Sequence, residues 1–179
     1  MDSKRAIFYT SPLNKAVDLD NIEDAEKLLK EGIGANVRYP MVDNFEAMRT
    51  VANMLQNNGN ANSQEKLLGV YPVQLIRSVE MLDLLMKYDA CIDAATFPHS
   101  RNRNASLTAL GRAIRWYHSP ELVEALLERG ATIIDLWEQK TYIEELADLK
   151  KDQRNSAHKA EHDKIIELLE GYKGYLPAK

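Results

Sequence analysis

The chain has 179 residues, 45% of them hydrophobic and 28% charged, which is ordinary globular composition and excludes wholesale disorder. A formal net charge of −4 argues against general nucleic-acid binding, which needs a basic footprint, and a single cysteine, Cys91, excludes an internal disulfide and a Cys-cluster zinc site. No apolar run approaches the roughly 18 residues of a membrane span, the start from Met1 to Leu13 lacks a signal-peptide core, and one lone cysteine suits a reducing compartment; the expected location is therefore cytoplasmic, although delivery into a host or target cell would leave no mark in such features.

Met1 to Thr10 carries Lys4, Arg5, Ile7, Phe8 and Tyr9, a set suited to packing over the open edge of the first helix pair. Ser11 can then accept a hydrogen bond from an orphan N–H at a helix start, and Pro12 suits the first helical position, where its missing N–H does no harm. Leu13, Ala16 and Val17 share one helix face, Asp18 to Asn21 interrupts it, and Ile22, Ala25, Leu28 and Leu29 resume it until Gly32 offers a left-handed C-cap. Neither helix is long enough to stand alone. The stretch resembles one ankyrin repeat, whose pattern opens Thr-Pro-Leu-His-Xaa-Ala and closes Leu-Leu-Xaa-Xaa-Gly-Ala-Xaa-Xaa-Asn. Ser11, Pro12, Leu13 and Ala16 match the opening, and Leu28, Leu29, Gly32 and Asn36 the close; Asn14 and Asp20 depart from the pattern's His and Gly.

One such unit cannot bury its apolar face, so the resemblance implies copies. The triad Ala25, Leu28, Leu29 recurs as Val51, Met54, Leu55, as Leu82, Leu85, Met86, as Val123, Leu126, Leu127 and as Ile165, Leu168, Leu169. The offsets of 26, 31, 41 and 42 average 35, near the ankyrin period of about 33 residues. The expected fold is therefore all-α: one domain over residues 1–179, a solenoid of five ankyrin-like repeats at about 10–37, 39–63, 71–94, 105–135 and 141–172, joined by short hairpins. Tetratricopeptide repeats pair helices at a similar period but lack the Gly-Ala-Xaa-Xaa-Asn close, which Gly32 to Asn36 and Gly130 to Asp135 approximate.

The second copy is the most eroded, with Tyr39-Pro40-Met41 in place of Ser-Pro-Leu, room for only a stunted first helix, a second helix from Glu46 to Asn57, and an Asn-rich turn after it. The third opens at Tyr71-Pro72-Val73 and has almost no inter-helix turn. Asp89 stands in the place of its terminal glycine, which predicts a strained or different C-cap. Thr96 to Asn104 reads as an exposed loop. The fourth copy has Thr108-Ala109-Leu110 and Ala113-Ile114, then a helix with both ends signalled by Ser119, Pro120 and Gly130. Gly111 there costs about 1 kcal/mol against Ala, which close approach of a neighbouring repeat explains. The fifth copy, Thr141 to Leu149 and Ala157 to Glu170, is densely charged, as suits a terminal repeat.

Motifs for chemistry are sparse. His158 and His162 have metal-ligand spacing but lack the His-Glu-Xaa-Xaa-His order and a third ligand at a motif spacing, so they read as a solvent-facing pair near a helix C-terminus. Cys91 aligns with a buried small position and reads as a packed structural cysteine. Phosphate-binding loops and nucleophile elbows are absent, and no metal or cofactor is expected. The resemblance implies protein binding through hairpin tips and first helices. Helical phase puts Leu110, Ala113, Ile114 and Tyr117 on the core stripe of the fourth repeat and turns Arg112, Arg115 and Trp116 away from it. Arg112, Arg115, Trp116 and Trp137 are thus the candidate partner-binding anchors, with Arg101 and Arg103 as rim charges for a protein bearing an acidic patch. The competing assignment for Arg112 and Trp116 is an intramolecular cation–π pair. The expected function is a non-catalytic protein–protein interaction module: an adaptor, an inhibitor or immunity protein, or a host-directed effector. The alternatives are a small enzyme using Cys91 or the histidine pair, and a nucleic-acid binder using Arg101 to Arg115.

Overall fold

The computed structural model describes residues 8–9, 11–37, 39–42, 69–95, 108–133, 141–143 and 158–172. Helix dominates: α1 (Pro12–Asp18), α2 (Ile22–Lys30), α3 (Val79–Lys87), α4 (Ala109–Arg112), α5 (Pro120–Glu128) and α6 (Lys159–Gly171). A 3₁₀ turn at Pro72–Leu75 stands before α3 in place of a full first helix, and a π turn at Ala113–Tyr117 prolongs α4. The mainly helical expectation holds.

Local chemistry sets the helix starts. Ser11, Asn21, Ser78, Thr108 and Ser119 each accept, through a side-chain oxygen, the backbone N–H three residues on, which satisfies one orphan donor per helix. Pro12 and Pro120 fill first-turn positions that need no donor.

The helix ends repeat one another atom for atom. In α2 the Gly32 N–H donates to the Leu29 carbonyl at 3.0 Å and the Ile33 N–H to the Leu28 carbonyl at 3.1 Å, with Gly32 at φ +92°. After α3, Asp89 and Ala90 make the same two bonds to Met86 and Leu85; after α5, Gly130 and Ala131 make them to Leu127 and Leu126. These are Schellman closes. Of the strained or different cap expected at Asp89, the type is the same and the strain is present: Asp89 adopts φ +58°, a left-handed geometry that aspartate tolerates better than most side chains.

The units stack in two rows. In one, α2 packs on α3, α3 on α5 and α5 on α6; in the other, α1 packs on the 3₁₀ turn and the turn on α4. Leu13, Val17, Ala25, Leu82, Leu85, Leu110, Ile114, Val123, Leu126, Ile165 and Leu169 form the continuous core between them. Polar bridges fix the register. Asn36 donates through Nδ2 to the Asp89 carbonyl and accepts the Cys91 N–H, both at 2.6 Å. One joint further, the Asp93 carboxylate accepts the Thr132 N–H at 2.9 Å and its hydroxyl at 2.6 Å.

Units that are not consecutive in the expected order also meet. The first unit lies directly against the 71–94 unit, through α2 on α3, the ion pair of Arg77 with Asp18 at 2.7 Å, and the Ser78 hydroxyl on Asp20 at 2.6 Å. Most of the segment expected to form a second repeat lies outside the described residues. Its described part is strand β2 (Tyr39–Val42), which pairs antiparallel with β1 (Phe8–Tyr9) and β3 (Gly69–Val70), the short strands that lead into α1 and the 3₁₀ turn. Met41 and Val42 lie opposite Tyr9 and Phe8, and Tyr39 and Pro40 opposite Val70 and Gly69, so each half of β2 serves a different neighbour. The expected Glu46 to Asn57 helix lies outside the described residues, as do the Thr96 to Asn104 loop and most of the Thr141 to Leu149 helix.

The closes and bridges make opposite demands on stability when altered. Asp89→Gly removes the left-handed penalty while adding unfolded-chain freedom, and should raise stability by about 0.5–1 kcal/mol. Asn36→Ala removes both bridge bonds and should lower it by about 1–2 kcal/mol. Urea unfolding checks both: the midpoint should move in opposite directions with the slope unchanged.

Candidate functional site

From Thr108 to Ile114 every residue is buried, seven in succession. Helical phase alone implies one buried stripe per helix. That fails here because α4 is packed by the 3₁₀ turn of the preceding unit and by α5 of its own. Arg112 is accordingly 3% exposed. The expectation that it points outward is corrected, and the intramolecular pairing prevails: its guanidinium carbon lies 4.4 Å from the centre of the Trp116 ring.

A buried charge needs compensation. Burial pushes the Arg112 guanidinium down from its ordinary range, while Tyr117, by its field and a side-chain hydrogen bond, and Asp18 by its field, oppose that shift. Arg112 Nε has no hydrogen-bond partner among the described residues. Burial likewise pushes the Tyr117 hydroxyl up, with Arg112 and Arg77 opposing. Arg77 lies 5.5 Å over the Tyr117 ring and ion-pairs with Asp18. A chain of contacts thus runs Asp18, Arg77, Tyr117, Arg112, Trp116 across three successive units, along the turns between their helices.

Trp116 ends that chain and is 43% exposed. The π turn sets its position: the Ser119 N–H reaches back to the Ala113 carbonyl at 3.2 Å, and His118 turns left-handed at φ +47° to admit the next helix. Arg115, beside it, is half-buried. The structure therefore keeps Trp116 and Arg115 at or near the surface and takes Arg112 inside. Arg101, Arg103 and Trp137 lie outside the described residues. Arg77 and Tyr117 belong to the cluster but were not expected there, because Asp18 and Arg77 meet only when the first unit stacks directly on the 71–94 unit.

A second cluster joins the last two units. His118, at the end of the π turn, stacks on His158 with ring centroids 4.1 Å apart, and its Nδ1 lies 2.9 Å from Nε2 of His162. His158 is the N-cap residue of α6 and His162 is 2% exposed. The expected solvent-facing pair near a helix C-terminus is corrected on both counts: the pair starts its helix, and packing against the preceding unit buries its second member. The stacked rings of His118 and His158 present faces to each other, not nitrogen lone pairs. Among the described residues no group of three or more His, Cys, Asp or Glu side chains is arranged to hold a metal ion.

Cys91 is exposed, which corrects its expected burial. The Schellman close brings Ala90 into the core instead, and the Cys91 N–H faces out to Asn36. In comparisons with known proteins, no family model, no curated protein and no solved structure matches the chain.

The two residues of the cation–π pair should differ in their structural weight. Arg112→Ala removes buried packing and should cost on the order of 2 kcal/mol of stability. Trp116→Ala, at a half-exposed site, should cost about 1 kcal/mol or less. Denaturant midpoints of the two variants measure the contrast; equal costs would mean that Arg112 is not held as described.

Proposed function

We propose that the chain is a non-catalytic protein-binding module built from stacked ankyrin-like units, acting as an adaptor, an inhibitor or immunity protein, or a host-directed effector. The repeated Schellman closes and the side-chain bridges from Asn36 and Asp93 support the ankyrin-like reading, because they space short helix pairs identically along a stack. One observation carries the binding role: Trp116 is a large aromatic left 43% exposed while its ring is held on a buried guanidinium. A ring so fixed loses little freedom on meeting a partner, and tryptophan and arginine are the commonest hot-spot residues at protein interfaces.

The partner surface on this reading centres on Trp116 with Arg115 beside it and Arg77 on the neighbouring unit. Arg112 supports the ring from beneath and does not touch the partner. The cationic Arg77 and Arg115 near the ring favour a partner with an acidic patch, steered by charge and oriented by the aromatic anchor. Arg101, Arg103 and Trp137 remain candidate contacts at the rim.

Affinity capture with the intact chain, followed by mass spectrometry, asks for the partner, and titration of the purified partner then tests the site. Trp116→Ala should weaken binding by about 2 kcal/mol or more, near thirtyfold, under conditions where the variant stays folded. Added salt should slow association more than it speeds dissociation. Unchanged affinity for Trp116→Ala would place the binding surface elsewhere.

A further inference from the structure

At two joints the inter-helix turn of one unit meets the start of the second helix in the next. At the first joint the left-handed residue is Asp20, and its carboxylate accepts from the hydroxyl of Ser78, the N-cap residue of α3. At the last joint the left-handed residue is His118, and it stacks on His158, the N-cap residue of α6. The geometry is shared and the chemistry is not. An imidazole can change its charge between neutral and mildly acidic pH, as a serine hydroxyl cannot.

We propose that His118, His158 and His162 form a proton-operated latch that docks helix α6 on the preceding helix pair at neutral pH and releases it in mildly acidic solution.

Geometry makes the contact depend on neutrality. His118 Nδ1 and His162 Nε2, 2.9 Å apart, can share one proton, one nitrogen donating and the other accepting. Once both rings are imidazolium, each nitrogen carries a proton, the bond is lost and two like charges face each other. His158 adds a third ring, stacked on the first at 4.1 Å. The positive end of the α6 dipole lies here too, since His158 caps the helix and His162 is in its first turns; cations are disfavoured at that end.

Among the described residues, the charges around His118 do not rescue its protonated form. Glu161 on α6 is the acidic group whose field reaches His118, and the Ile114 carbonyl offers it a hydrogen bond; both favour the charged ring. Burial and the fields of His158 and His162 outweigh them, so the His118 imidazole is held below its ordinary value near 6.5. Lys159 and Asp163 flank the cluster on α6, Arg115 lies on the π turn, and α5 carries the exposed Glu121 and Glu124. A histidine depressed in the folded state takes up protons on release, so its contribution to docking is complete above about pH 6.5 and is lost as pH falls below that value.

Hydrogen exchange on the full chain tests the latch. Between about pH 7.5 and about pH 5, protection of the Lys159–Gly171 amides, corrected for intrinsic rates, should fall by about tenfold or more, with α2 and α3 changing little. In the double variant His118→Asn, His162→Gln, asparagine tolerates the left-handed backbone and neither replacement titrates, so the α6 response should shrink to about twofold or less. An unchanged wild-type α6, an equal loss in all helices, or a double variant with the full response would each overturn the proposal. If the double variant does not fold, NMR titration of the wild type decides. The α6 amide transition should then share its midpoint with the His118 ring; a transition displaced from every histidine titration would overturn it.

Discussion

Helix pairs of seven and nine residues have two apolar faces and too little chain to cover either, so each pair in this protein depends on the next for its burial. That dependence explains why the closes are so uniform. A Schellman turn at Gly32, Asp89 and Gly130 sends the chain out of α2, α3 and α5 in the same direction, and Asn36 and Asp93 then reach across one joint each. Without that regular exit the triads of α2, α3 and α5 would not meet face to face.

The same constraint puts a charge inside. An interior unit's first helix is enclosed from two sides, so a residue on the face opposite the core stripe is still buried, and Arg112 occupies that place. Its guanidinium rests on a Trp ring and a Tyr hydroxyl, with the Asp18 carboxylate acting through its field. Compensation of this kind holds only in one arrangement of the surrounding turns. Trp116, Tyr117, Arg77 and Asp18 are therefore tied into a single polar seam across three units, and the exposed indole inherits the rigidity of the interior.

Much of the local structure was legible in the sequence. Ser11-Pro12 and Ser119-Pro120 announced helix starts, Gly32 and Gly130 announced ends, and the four triads that fall on described residues marked the faces turned to the core, because each depends on residues within a few positions of one another. Long-range placement was not legible. Residues 39–42 mimic a repeat opening yet pair as a strand, since an antiparallel partner on each side outweighs a weak helical pattern. Helical phase, which registers one helix at a time, turned Arg112 outward, and the repeat pattern put Cys91 in the core one position beyond the residue that enters it. The third histidine was invisible for the same reason: His118 and His162 are 44 residues apart and meet only through stacking.

Strand β2 has a consequence of a different kind. Val42 is held opposite Phe8 and Gly69 opposite Pro40, so the two ends of the segment 43–68 are anchored in the same small sheet while the units on either side are already in contact without it. The length of that segment is then decoupled from the spacing of the helices. An insertion elsewhere between stacked helices would have to be absorbed by the joint itself, whereas here the sheet acts as a clasp that holds the chain at residues 42 and 69.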